Sequence, residues 1–273
     1  MSRHAADGPD TARPERMPVL FVGHGSPMNA IEDNVWSRGF RELGRLLPRP
    51  AAILSVSAHW FVAGTWLTGD PQPRTLHDFG GFPPALYEVE YRAPGSVDLA
   101  RNVRTILDAH GAALDTTWGL DHGTWSVLRW MYPDADIPVV QLSIDNRLGA
   151  KEHFDLARSL RDLRHQDILI LGSGNVVHNL GDAIRRMGTE NPVTPDWASR
   201  FDARVKTATE ARDVADLLAS HAWGGDGPLA HPTPDHWLPF IYALSVADRN
   251  DRVRFTNEGF DLGSLSMRCV VWG

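Results

Sequence analysis

Five histidines stand where apolar runs give way to turn-forming residues: His24 after VLFVG, His59 after AAILSVSA, His122 in GLDHGTW, His178 in GSGNVVHN and His236 in PTPDHWLP. A single histidine is by default a surface or core residue whose ring nitrogens are satisfied. His4, His110, His153 and His165 fit that description, in a polar tail, on helical segments or at a helix end, while His221 and His231 fall in a loop. Chance places one or two histidines at element exits; five need a reason. Neutral imidazole is the commonest nitrogen ligand of Zn(II) and serves Fe(II) equally. A catalytic metal site takes three protein ligands and keeps positions open. Imidazoles left over, with an ordinary pKa of about 6.5, suit proton transfer near neutrality. The pattern points to a metal centre with acid–base groups beside it.

Other chemistries are poorly supported. HExxH, CxxC and Walker-type strings are absent, which removes the zincin, zinc-ribbon and P-loop readings. Gly172-Ser173-Gly174 lacks the third glycine and the acidic partner of a dinucleotide fingerprint. Ser26 and Ser173 lie outside any GxSxG elbow, so neither reads as a nucleophile.

The elements that must carry these residues follow from hydrophobic periodicity. Apolar runs at residues 19–25, 51–60, 137–144 and 167–172 suit strands buried on both faces of a parallel sheet. Between them, helical spacing appears at 31–47, 97–110, 125–131 (with Thr124 as its cap) and 150–163, and again over 194–220. Shorter strands are expected at 65–68, 113–117, 252–256 and 267–271, the last two antiparallel at an edge. Residues 71–84 and 221–234, rich in Gly and Pro, read as loops. Strands alternating with helices predict an α/β fold, a single-domain three-layer sandwich with a mostly parallel central sheet and helices on both faces. Ligands in such sheets bind beyond the carboxyl ends of the strands, where the histidines lie.

The chain of 273 residues, 42% hydrophobic and 22% charged, has ample material for a core. A net charge of −7 with scattered arginines argues against nucleic acid as a partner. No run approaches the roughly 18 apolar residues of a membrane helix. One cysteine, Cys269, cannot staple the fold, and a reducing cytoplasm is the expected location. Residues 1–16 read as a disordered N-terminal extension and 17–273 as the catalytic domain. Aromatic residues in loops allow a homodimer.

Taken together, GHGSPM (23–28), SAHW (57–60), GLDHGTW (119–125), GSGNVVHNL (172–180) and HPTPDHWLPF (231–240) resemble the class III extradiol ring-cleavage dioxygenases, the LigB-type catalytic domain, in particular the 4,5-DOPA extradiol dioxygenase branch. The resemblance runs from about Pro18 to the C-terminus. It implies that His24 and His59 are metal ligands and that His236 is the third, where protocatechuate-cleaving members carry a carboxylate. An all-imidazole set would accept Zn(II) as readily as the Fe(II) needed for dioxygenase turnover. It further implies His178 as acid–base histidine and potential fourth ligand, and His122 as a substrate-side histidine. Asp235, Ser26, Asn175 and Trp60 are expected behind the ligands or in the substrate pocket, with Asp235 orienting an imidazole. Phe79, Phe82, Trp125 and Trp237 are further candidates for an apolar lining. The implied reaction opens a catechol, DOPA-like or related, with O2 to a semialdehyde. A zinc hydrolase or lyase using the same ligands, and a non-catalytic binding member, are the alternatives.

Overall fold

A computed structural model describes residues 16–189 and 192–273. The strands are β1 (Val19–Gly23), β2 (Ala52–Val62), β3 (Trp66–Thr68), β4 (Ala113–Asp115), β5 (Val139–Asp145), β6 (Ile168–Gly174), β7 (Val253–Thr256), a small hairpin of β8 (Phe260–Asp261) and β9 (Leu265–Ser266), and β10 (Cys269–Trp272). Eight of them form one sheet in the order β4-β3-β5-β2-β6-β1-β10-β7. The central four, β5, β2, β6 and β1, are mutually parallel, while β10 pairs antiparallel with both β1 and β7 at one edge.

Strand residues alternate between two cores, which is why these strands carry almost no charge. Val19, Phe21, Leu54, Val56, Val140, Leu142 and Ile170 face one core; Leu20, Val22, Ile53, Val139, Leu169 and Leu171 face the other. The second core is covered by α1 (Val35–Leu46), by residues around the short α2 (Pro84–Tyr87), and by α4 (His122–Met131). The first is covered by α3 (Val97–Ile106), α5 (Ala150–Arg158), α7 (Asp196–Ala211) and α10 (Leu238–Val246), with α6 (Leu180–Arg186), α8 (Val214–Leu218) and α9 (Asp226–Ala230) completing the chain. The fold is therefore a three-layer α/β sandwich with a mostly parallel sheet.

Several local boundaries differ from the sequence pattern. The helical run 31–47 begins only at Val35, where Asn34 supplies a capping box; a separate 3-10 turn at Pro27–Ala30 is capped by Ser26. Asp121, not Thr124, caps α4: its carboxylate accepts from the Thr124 amide, while the Thr124 hydroxyl is taken by Ser55 at 2.8 Å. The loop expected over 221–234 contains α9. The extension expected over 1–16 lies outside the described residues apart from Arg16, whose guanidinium meets Asp251 at 3.0 Å.

Candidate metal centre and active site

His24 is the first residue beyond β1, and its amide donates to the Gly174 carbonyl at the matching end of β6, 3.0 Å away. Its Nδ1 lies 3.0 Å from Ser173 Oγ. The one hydroxyl proton of Ser173 is directed to the Gly123 carbonyl at 2.5 Å, so Ser173 must accept from His24 Nδ1–H. That leaves Nε2 of His24 as an unprotonated lone pair.

His59 sits within β2 rather than at its exit. The pairing of β2 with β5 jumps from Val56↔Leu142 to Phe61↔Ile144, so extra residues bulge out of the ladder around His59. A bulge re-aims a side chain that strict alternation would have put elsewhere. His59 Nε2 comes to 3.1 Å from His24 Nε2, and its Nδ1 lies 3.4 Å from Asp78 Oδ2. Close approach of the α4 N-terminus needs Gly123, because a Cβ there would stand 2.5 Å from Ser57 Oγ and 3.0 Å from the His59 ring.

His122 opens α4. Its backbone amide and Nδ1 each lie 2.9 Å from an oxygen of Asp78. His236 precedes α10; its Nδ1 meets Asp235 Oδ2 at 2.5 Å, and its carbonyl accepts from Asn175 N at 3.0 Å. The ring of His178 stacks on that of His236, with centroids 3.4 Å apart and planes within 1°.

The imidazoles thus converge from five separate segments. Ring centroids are 5.0 Å apart for His24–His59, 5.3 Å for His24–His236, 5.1 Å for His59–His236 and 3.8 Å for His59–His122. The ligand nitrogens of His24, His59 and His122 all lie within 4.8 Å of one another. Among the described residues, His236 Nε2 is a buried nitrogen without any hydrogen-bond partner.

Electrostatics disfavour charge on four of these imidazoles. Burial first, and then repulsion from neighbouring imidazoles, hold His24, His59 and His236 well below the usual histidine range. Burial likewise lowers His178 to about 4. Burial would raise Asp78, but its hydrogen bonds from His122 and the adjacent rings bring it down to about 2. Asp121 goes the other way: burial and the nearby Asp78 charge push it up to about 6, although Ser57 and Gln141 donate to it. With Nδ1 of His24 and His236 held by Ser173 and Asp235, their Nε2 lone pairs are turned inward. Such a set suits a divalent cation of the Zn(II) or Fe(II) kind.

The model of the family described as the catalytic LigB subunit of aromatic ring-opening dioxygenase matches residues 18–263. The chain belongs to the LigB family. It is a ring-opening oxidoreductase of the extradiol type, as its LigB-family relatives are named. It is 46% identical to a protein of Escherichia coli K12 named 4,5-DOPA dioxygenase extradiol, over 94% of this chain and 95% of that one. A Beta vulgaris protein of the same name is 35% identical over 91% of this chain and 93% of its own length. A crystal structure of an uncharacterised Escherichia coli K12 protein superposes with a TM-score of 0.81 at 41% identity, covering 94% of this chain and all of that one.

Within this LigB fold the remaining sequence candidates take different places. Ser26 caps the 3-10 turn, its Oγ accepting from Met28 N at 3.2 Å. Asn175 ties β6 to His236 and donates its side-chain amide to Ser266 O at 2.8 Å. Trp60, the neighbour of His59, projects away and stacks on Trp118 with centroids 5.2 Å apart. Trp237 stacks on Phe240 in the core, whereas Phe79 lies edge-on to His122 at 5.4 Å and joins Phe82 and Tyr87, both at 5.3 Å. Sequence reasoning gave no role to Asp78 or Asp121, and weighed Ser173 only as a nucleophile. The one signal for Asp78 was an acid beside a histidine in a turn-rich stretch.

Proposed function

We propose that this enzyme opens the ring of a catechol, DOPA-like or closely related, with O2, breaking a carbon–carbon bond adjacent to the diol. One divalent cation would be held by His24, His59 and His236, with His122 and His178 serving the substrate. The observation that carries this reading is the orphaned Nε2 of His236. A buried acceptor with no partner costs about 1–3 kcal/mol unless a ligand meets it, and its ring lies about equally far from those of His24 and His59. His122 is not left with such a buried orphan, which favours a role toward substrate over one as third ligand. Its neighbours also fit that role, since Phe79 beside it offers an aromatic diol an apolar contact.

A redox-active ion such as Fe(II) supplies the contact through which a diol and O2 exchange electrons. The protein's own groups orient the diol and handle its protons. His178 is neutral at pH 7, so it begins as an acceptor for a hydroxyl proton and can return that proton later to an oxygen of the opening ring. Asp235 holds the His236 imidazole with Nδ1 protonated. Both atoms of O2 enter the product as one ring bond and the O–O bond break, so no further reductant is required. No described helix is long and apolar enough to cross a membrane; the reading places the enzyme in a reducing cytoplasm, where Fe(II) persists.

The test is oxygen uptake by metal-free, Zn(II)-loaded and Fe(II)-loaded protein with a panel of catechols. Fe(II)-loaded protein should consume one O2 per catechol while a yellow semialdehyde accumulates. Turnover of a hydrolysable substrate by Zn(II)-loaded protein under anaerobic conditions, with no O2 uptake on any catechol, would replace the reading with a hydrolytic one.

A further inference from the structure

We infer that Asp78 is a positioning residue whose carboxylate sets the tautomer of His122 and, by also touching His59, ties the proposed substrate-facing imidazole to a proposed cation-holding one. The role labels rest on the proposed function; the tautomer claim does not.

Asp78 lies in the segment between β3 and α2, and that segment is fastened on both sides. Leu76 N donates to Leu120 O at 2.7 Å and Leu120 N to Arg74 O at 2.8 Å, while His77 Nε2 lies 3.0 Å from Val89 O. The carboxylate is therefore presented from a fixed backbone. It is hydrogen-bonded to His122 N and His122 Nδ1, each at 2.9 Å, and its second oxygen also lies 3.4 Å from His59 Nδ1. An ionised carboxylate can only accept, so His122 must carry a proton on Nδ1, whereas the hydrogen bond of His59 is made at Nε2, 3.1 Å from His24 Nε2. The other two outward nitrogens have their own acceptors, Ser173 for His24 and Asp235 for His236. Asp78 alone touches two of the rings, which sit 3.8 Å apart.

Asparagine cannot reproduce this. If its amide oxygen faced the rings, its NH2 would oppose the donating amide of His122. Turned the other way, NH2 would face Nδ1 of His122 and drive the proton to Nε2, abolishing the inward lone pair.

Long-range ¹H–¹⁵N correlation spectra of the imidazoles in metal-free protein read the tautomers directly, and chelator competition reads Zn(II) affinity. In the wild type, His122 should be Nδ1–H. Asp78→Asn should shift His122 toward Nε2–H, leave His24 and His236 unchanged, and weaken Zn(II) binding by about 10–100-fold. Asp78→Glu, which keeps a carboxylate, should recover part of both signals, and Phe79→Leu should move neither. An Nε2–H tautomer at His122 in the wild type would overturn the inference, as would Asp78→Asn with unchanged His122 tautomer and affinity. Should Asp78→Asn fail to fold, the wild-type spectrum and Asp78→Glu still decide. None of these readouts needs turnover, so absence of ring opening would remove the dioxygenase reading while leaving Asp78 in place.

Discussion

Gly174→Ala offers a sharp test of how the backbone sets the site. Gly174 ends β6, its carbonyl accepts from His24 N, and the next amide, Asn175 N, donates to His236 O, both at 3.0 Å. A Cβ on residue 174 would lie 2.2 Å from His236 O and 3.0 Å from His236 C. Both are backbone atoms, so no rotamer change can relieve the contact. An ordinary Cβ contact starts at 3.4 Å, which means the two strands of backbone must part by about 1.2 Å. Forcing a methyl into a packed interior costs about 1–3 kcal/mol, and the stretched Asn175–His236 bond about 1 kcal/mol more. The variant should lose about 2–4 kcal/mol, well short of unfolding a domain with an ordinary 5–15 kcal/mol. Metal–ligand distances tolerate only about 0.2 Å, so displacement of His236 on this scale should weaken Zn(II) binding at least tenfold. Urea unfolding and chelator competition measure the two effects. Gly225→Ala is the control, since a Cβ there meets nothing within 4 Å and its φ is −75°; it should stay within about 0.5 kcal/mol of wild type. A Gly174→Ala protein with wild-type urea midpoint and Zn(II) affinity would refute the reasoning.

Three further outcomes follow from particular contacts. His236→Ala should lose bound metal in elemental analysis, whereas His122→Ala should retain it and lower kcat by about 10²–10⁴; the reverse pattern would make His122 the third ligand. His231 is buried among Phe201 and Trp237, and burial lowers its pKa to about 3, so it is neutral in the folded protein while the unfolded chain protonates near 6.5. The unfolded state then binds the extra proton between those values, and stability falls as pH drops from about 6.5 to 3, by roughly 3–5 kcal/mol from this group. His231→Phe should flatten that part of the stability–pH curve, and an unchanged slope would contradict the assignment. The buried Arg164 donates to Asp251 at 2.8 and 3.1 Å, to Met17 O at 2.7 Å and to Val246 O at 3.0 Å. Arg164→Met should cost about 1–3 kcal/mol in urea titration by taking the donor from the Met17 and Val246 carbonyls, Asp251 keeping Arg16 and the Asp248 amide, with kcat per folded molecule unchanged.

The pattern of apolar runs and glycine-flanked histidines was enough to expect the sheet and the segments that meet at its edge. Buried parallel strands have no polar face, so their sequences are continuous and easy to find, as with the segments around Leu54 and Ile170. Strand ends were harder to place. Ser55, Ser57 and Ser173 look like the close of a strand, yet each is a buried strand residue whose hydroxyl meets the first turn of α4 or its cap, at Thr124, Asp121 and Gly123. Likewise His59 reads as an exit because a bulge leaves no trace in periodicity.

The linear chain therefore determined which residues could do chemistry and which elements carry them, since both depend on local composition and spacing. Only the tertiary structure decided which nitrogen of each ring faces inward. That choice belongs to hydrogen-bond partners distant in the chain, such as Asp78 for His122, 44 residues apart, and Ser173 for His24, 149 apart. A hydrogen bond between residues so far separated imposes no period on the residues in between, so it becomes visible only when folding has brought them together.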